Sequence, residues 1–297
     1  MKRFTAAIAA TLAMAAPLAA QESNPPPLTV EVLRTSAGSL HSNAALIMGE
    51  HDAVLVDPPF TKADAHRVAA MVLDSGKNLT HVFVTHDHPD HFFSMDVLKE
   101  AFPGAEIVAH PTVVEDIWRS LPFKVVRWSP MLADNGPAHP SAPHAMASDT
   151  IMLEGHELQV IGPMQGDHVH STALWAPDIG ALFPGDLVFN EVHLWLGEHD
   201  LAAVRAWRES MDSLSALDPK IVVAGHARPG LPNDQSGLTF TSNYLDAWLE
   251  FVPQSHNSAE LRARVTGRFP STIDVLDSFI LGNSSEVAMG EQPKWEE

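Results

Sequence analysis

Residues 85–91 read Thr-His-Asp-His-Pro-Asp-His, and they follow THVFVT (80–85), a short apolar and β-branched run with the character of a buried strand. Three imidazoles and two carboxylates in six positions crowd one another, and a chain that ends a core strand on them needs something to hold. His86 and His88 lie two apart on extended chain, so their side chains point the same way and can chelate one ion. Asp90 and His91 come after the turn at Pro89 and can reach a second ion. Imidazole and carboxylate without sulfur suit zinc and also accept iron or manganese. The competing reading, a solvated histidine-rich turn, does not account for such ligand density.

The rest of the chain supplies a scaffold in two similar halves. LTVEVLR (28–34), NAALIMG (43–49) and AVLVD (53–57) read as strands, the last ending in Asp57-Pro58-Pro59. Thr61 is placed to cap a helix running to about Ser75, with Ala65, Val68, Ala69, Val72 and Leu73 at helical spacing. A helix over 92–102, stopped by Pro103-Gly104, precedes the strand EIVAH (106–110). Residues 135–147 form a Pro-rich loop whose His139 and His144 are expected to be solvated. Strands TIMLE, ELQVIG, STALWAP and IGALF then lead to a helix from about Leu201 to Leu217, the strand KIVVAGH and a helical C-terminal stretch from about residue 235. Strands then helices, twice over, predict an α/β (α+β) fold: an αββα four-layer sandwich of two mixed sheets flanked by helices.

THDHPDH resembles the signature of the metallo-β-lactamase superfamily, and the resemblance extends over most of residues 28–230. It implies the same αββα sandwich. Asp57, ending AVLVD, matches the family's early Asp that orients the histidines from behind. Gly185-Asp186 in ALFPGD matches the Gly-Asp whose carboxylate bridges both metals, and His226 in IVVAGH matches the last ligand. One position departs. Where the family reads Gly-His-Thr-Pro-Gly-Ser-Thr, alignment back from Pro177 sets Gly166 on the Gly and Asp167 on the metal-binding His, with Ser171-Thr172 on Ser-Thr. The ligand there is Asp167, or alternatively His168 or His170 after a small loop shift. Asp167 would add negative charge at the first metal.

The first 20 residues carry Lys2 and Arg3, then a small-residue apolar stretch, then Leu18-Ala19-Ala20 before Gln21. That pattern predicts a signal peptide over 1–20, a mature domain over 21–297, and a periplasmic or secreted address. No membrane insertion is expected after its removal. The chain has no cysteine, which excludes a thiolate nucleophile, a sulfur ligand and a disulfide. No Gly-x-Ser-x-Gly segment supplies a serine nucleophile. Formal charge is −19; without Lys2 and Arg3 it is 16 basic against 37 acidic residues, or −21, a surface that repels nucleic acid. The helices after 200 leave a homodimer open.

The function implied is hydrolysis of an ester, thioester, lactone or amide by water activated between two divalent ions, most simply zinc, with Asp90 as the group that holds or accepts the water's proton. The partner is a small molecule. The loop NEVHLWLGEHD (190–200) follows Asp186, and its His193 and Trp195 are the expected substrate contacts, with SAGSLHS (36–42) as a second wall. Three alternatives stand beside this. A β-lactamase fits export, although Asp186 occupies the slot that some such enzymes give to Cys. A mononuclear iron dioxygenase acting on a sulfur substrate would use two His and one carboxylate. A non-catalytic metal-binding protein would follow if Asp167 disabled one site.

Overall fold

Strand β1 (Thr29–Arg34) is a half-exposed edge, but along β2 (Asn43–Met48), β3 (Asp52–Val56) and β4 (Asn78–Val84) successive apolar residues face opposite ways and are buried on both faces. Ala45, Ile47, Val54, Val56 and Phe83 pack toward a second sheet, whereas Leu46, Leu55, Val82 and Val84 pack toward helices. A sheet covered on both sides by different partners is the inner layer of a sandwich. This is seen in the computed structural model, which describes residues 26–295; the expected signal segment at 1–20 lies outside the described residues.

The first sheet continues through β5 (Glu106–Ala109) and β6 (His144–Ala145), in the order β1-β2-β3-β4-β5-β6. The pairings β1–β2 and β2–β3 are antiparallel, and those from β3 to β6 are parallel. Parallel neighbours need crossovers, and α1 (Lys62–Ser75), α2 (Met95–Ala101) and α3 (Pro111–Leu132) supply them. Thr61 caps α1 by accepting from the Asp64 amide, and Gly76 ends it at φ 67°, a left-handed conformation that glycine adopts without strain.

The second sheet holds β7 (Thr150–Leu153), β8 (His156–Met164), β9 (Ser171–Ala176) and β10 (Ala181–Phe183). A short pair, β11 (Phe189–Asn190) with β13 (His226–Ala227), stands beside it, and β12 (Ile221–Val222) completes its order β12-β10-β9-β8-β7. Ile151, Leu158, Leu174, Phe183 and Val223 meet the first sheet in the shared core. Helices α4 (Leu201–Ser215), α5 (Ser236–Phe251), α6 (Ser258–Arg268) and α7 (Phe279–Ala288) follow, with Trp207, Tyr244 and Trp248 buried. The αββα sandwich expected from the sequence is the observed architecture.

Three local expectations change. The helix expected over 92–102 starts later, at Met95, because Pro89–His91 is a separate 3₁₀ turn. The strand expected over 220–226 is split: Gly225 donates its amide to the Gly185 and Val188 carbonyls, which pulls the chain out of sheet geometry before His226. The Pro-rich segment contributes β6 as an edge strand, held by the Met146 amide on the Ala109 carbonyl. The long helix α3 was not foreseen, since Pro122 and Pro130 interrupt its pattern. Its buried face of Val113, Ile117 and Leu121 at four-residue spacing nevertheless settles it on the sheet. Among the described residues, no helix is long and apolar enough to cross a membrane.

Candidate metal centre

Loops from both sheets converge at one edge of the sandwich. β4 delivers His86 and His88, and the 3₁₀ turn after them delivers Asp90 and His91. The loop between β8 and β9 brings Asp167, the turn Gly185–Leu187 after β10 brings Asp186, and β13 opens on His226. The β4 and β9 ends are locked together, because the Thr172 amide and hydroxyl both donate to the Thr85 carbonyl, at 3.0 and 2.6 Å.

Two groups of buried side chains result, each with its candidate ligand atoms within 4.8 Å of one another: His86, His88, Asp167 and Asp186, and then Asp90, His91 and His226. Asp186 reaches across. One of its carboxylate oxygens is 3.8 Å from His86 Nε2 and 3.1 Å from His226 Nε2, while the other is 3.1 Å from His91 Nε2. Asp90 lies 3.1 Å from His226 Nε2 and 3.6 Å from His91 Nε2. His88 Nδ1 sits 2.8 Å from Asp167.

Each imidazole is oriented by a partner on its outer nitrogen. His91 Nδ1–H donates to Asp57 at 2.9 Å, and His226 Nδ1–H to the Leu40 carbonyl at 2.9 Å. The Thr85 hydroxyl donates to Asp57 at 2.8 Å, so its lone pair is left to accept from His86 Nδ1–H at 2.9 Å. His88 turns its Nε2 to the Glu198 carboxylate at 3.2 Å. The inner nitrogens are thereby left as lone-pair donors aimed at common points, the arrangement that second partners give a metal-binding histidine.

The chemistry of the donor set fits divalent ions. His86 Nε2 and one Asp167 oxygen face each other at 3.7 Å, both buried, and neither has a hydrogen-bonding partner. His91 Nε2 and His226 Nε2 approach to 3.4 Å, two nitrogens with one acceptor surface each. Burial, with the charge of Asp186 behind it, pushes the Asp167 carboxyl well above its ordinary range, so an ionised Asp167 calls for a cation beside it. Burial likewise holds His86 well below the usual histidine value, in the neutral form that binds metal. Gly225 is needed at this point: a Cβ there would collide with the Asp186 carboxylate.

Of the three residues open at the departing position, Asp167 is the one in the group. His170 turns away to Asp116 at 2.7 Å, and His168 lies 3.9 Å from Asp87. Burial and the neighbouring His88 lower His168 to about 3. Behind them Lys124 of α3, buried, pairs with Asp87 at 2.9 Å.

A cavity of about 610 Å³, counted out into its open mouth, lies over both groups and is bordered by His88, Asp90, Asp167, Asp186 and His226. His193 and Trp195 line it as expected. The Tyr244 hydroxyl fixes the His193 ring at 2.8 Å, and burial lowers His193 to about 4, so it is neutral near pH 7. The segment 36–42 contributes Leu40, not His41. His139 and His144 are exposed, as expected.

Sequence reading missed Glu198. Burial alone would raise its carboxyl, but hydrogen bonds from His88 and Trp195 and the His88 charge hold it at about 2. Its only signal in the sequence was its place in the loop after Asp186. Thr85, standing next to the ligand run, and the Leu40 carbonyl, a backbone atom, were missed as well.

With this geometry stand four likenesses. The family model described as "Metallo-beta-lactamase superfamily" matches residues 37–226. The chain is 23% identical over 197 residues, 65% of its length and 72% of the relative's, to a protein named Metallo-beta-lactamase type 2 from Bacteroides fragilis. The crystal structure of the DIM-1 metallo-beta-lactamase superposes with a TM-score of 0.55 at 20% identity, covering 75% of this chain and 99% of that one. A metallo-beta-lactamase from Pontibacter korlensis superposes with a TM-score of 0.52 at 20% identity, covering 73% and 99%.

Proposed function

The chain belongs to the metallo-β-lactamase superfamily, and from that premise we propose that it is an exported hydrolase that works with two divalent ions, zinc first among them, on an ester, thioester, lactone or amide. The carrying observation is Asp186, whose two oxygens reach histidines of both groups at 3.1 to 3.8 Å. His86, His88, Asp167 and Asp186 would hold one ion, and Asp90, His91, His226 and the shared Asp186 the other. Bound there, the ions would polarise a carbonyl and lower the pKa of water toward neutrality.

The chain's own residues supply the rest. Asp57, Thr85, Leu40 and Glu198 orient the imidazoles. Asp90, which borders the cavity, would take the proton from the attacking water. The water oxygen ends on the acyl carbon, the bond to the leaving group breaks, and that group departs with a proton. His193 and Trp195 contact the substrate from the wall. A one-metal iron enzyme would leave Asp90, His91 and His226 without a task, which favours the hydrolytic reading. Lys2, Arg3 and the apolar stretch after them support export.

Metal content of mature protein purified from the periplasm tests this, together with hydrolysis of esters, lactones, thioesters and β-lactams; the last belong in the screen because of the names of the relatives. Two equivalents per chain are expected, with hydrolysis lost on chelation and regained with zinc, manganese or iron. Hydrolysis that survives complete metal removal would overturn the proposal.

A further inference from the structure

The cavity over the candidate ligands has a polar floor and an apolar wall. Among the described residues that line it there is no lysine or arginine, and its wall is dominated by apolar and aromatic side chains. Much of that wall comes from the C-terminal segment beyond the family match, through Val275, Leu276, Phe279, Ile280 and Trp295. Trp195 stacks on Phe279 with 5.7 Å between centroids and 18° between planes, and Trp295 stands edge-on to both at 5.5 Å. Of its polar atoms, the Trp195 indole N–H is engaged by Glu198 and the His193 Nδ1 by the Tyr244 hydroxyl, each at 2.8 Å. Arg127 lies outside the lining, with its guanidinium 3.8 Å above the Trp295 ring.

The charge balance of the floor points the same way. Asp90, Asp167 and Asp186 stand in the ligand groups, with Glu198 on His88 and Asp57 on His91 behind them, five carboxyl groups that would face the four positive charges of two divalent ions. A histidine in place of Asp167 would remove one of the five. The wall offers no counter-charge, so an anionic group lodged against it would lose its hydration without compensation.

Resting on the hydrolase reading above, we propose that the substrate is an uncharged ester or lactone with a bulky apolar group, which the Trp195–Phe279–Trp295 wall receives. A matched pair tests it: 4-nitrophenyl hexanoate and mono-4-nitrophenyl adipate have the same reach and differ by a terminal carboxylate. In the metal-loaded protein kcat/KM should favour the hexanoate at least tenfold. Because Trp195, Trp295 and Trp128 border the cavity, binding is read separately, by quenching of tryptophan fluorescence with the slowly hydrolysed 4-nitroanilides of the same two acids. The neutral anilide should bind at least tenfold more tightly. Ile280→Lys should narrow or reverse both preferences, and Leu276→Lys serves if the first variant does not fold.

Equal or tighter binding of the carboxylated anilide by the wild type would overturn the inference, whether or not esters are cleaved. Hydrolysis confined to thioesters or amides would overturn the ester or lactone assignment, and no hydrolysis of any acyl substrate would overturn the hydrolase reading, whereas the anilide preference tests the apolar wall on its own.

Discussion

The two ligand groups face one cavity, yet they are braced from different parts of the chain. His91 and His226 lean on Asp57, at the end of β3, and on the Leu40 carbonyl, where the Asn43 side chain and amide also tie the strand to residues 224–225. Those supports belong to the hydrogen-bonded edge of the sheets. In the other group His88 leans on Glu198, and Asp167 rides on a loop pinned by His199 Nε2–H on the Gly166 carbonyl at 2.8 Å. Asp57 reaches the other group too, through Thr85 to His86, so what sets that group apart is its half carried on loops. The loop-borne group also carries the extra carboxylate, and both of its irregular parts come from the segments that border the cavity. The site therefore has a conventional half and a half in which this chain has settled its own charge and its own walls.

Removing the residue common to both halves should have the largest effect. Asp186→Ala is expected to release both ions and to cut kcat/KM by about 10³-fold or more, read by elemental analysis and ester hydrolysis. Loss of a single equivalent would mean that the halves do not share it. Asp167→Ala should empty the loop-borne half alone, leaving about one equivalent, whereas Asp167→His should keep two; loss of both ions in the alanine variant would break the division.

Changes to the braces should be smaller and should separate the halves. Glu198→Gln is expected to weaken the first ion by about 10-fold and to spare the second, whereas Asp57→Asn, which removes the brace of His91 directly and of His86 through Thr85, should weaken both, in titrations with a competing chelator. A Glu198 change that weakens both ions equally would remove the contrast. The wall acts on the fold and leaves the ions alone. His193 is held at about 4 by burial, whereas in the unfolded chain it takes up a proton near 6.5. Between those values the unfolded state binds more protons, so this contribution to stability is full above pH 6.5 and is lost as pH falls toward 4, by up to about 3 kcal/mol. His193→Gln should flatten the unfolding free energy across that window in denaturant titrations, with both ion affinities unchanged. An unaltered slope would show that His193 is not held neutral.

What could be read from the sequence was whatever depends on near neighbours. His86, His88, Asp90 and His91 lie within seven residues of the end of their strand, and period two along extended chain puts the first pair on one side. The capping Thr61 and the closing Gly76 mark α1 at both ends. Asp57, Asp186 and His226 were legible through resemblance, each at the end of an apolar run. Glu198 was not, since a glutamate in a loop has no pattern of its own, and it matters only because α4 and α7 hold that loop against His88. The Leu196 amide, for example, donates to the Ser284 hydroxyl of α7 at 3.0 Å. The helix α3 was hidden for the opposite reason: its prolines speak locally against a helix, and burial of one face on the sheet outweighs them.

The sequence by itself determined the alternation that makes two sheets with outer helices, the family, and a donor set of imidazole and carboxylate without sulfur. These follow from residue type and short spacing, which persist whatever the chain does far away. The tertiary structure decided that Asp167, rather than His168 or His170, faces His86 and His88, that Glu198 and Leu40 complete the bracing, and that the C-terminal segment closes an apolar wall over the site. Each of these joins residues from about 80 to 190 positions apart, and such contacts form only where packing of the whole chain repays the entropy of closing so long a loop.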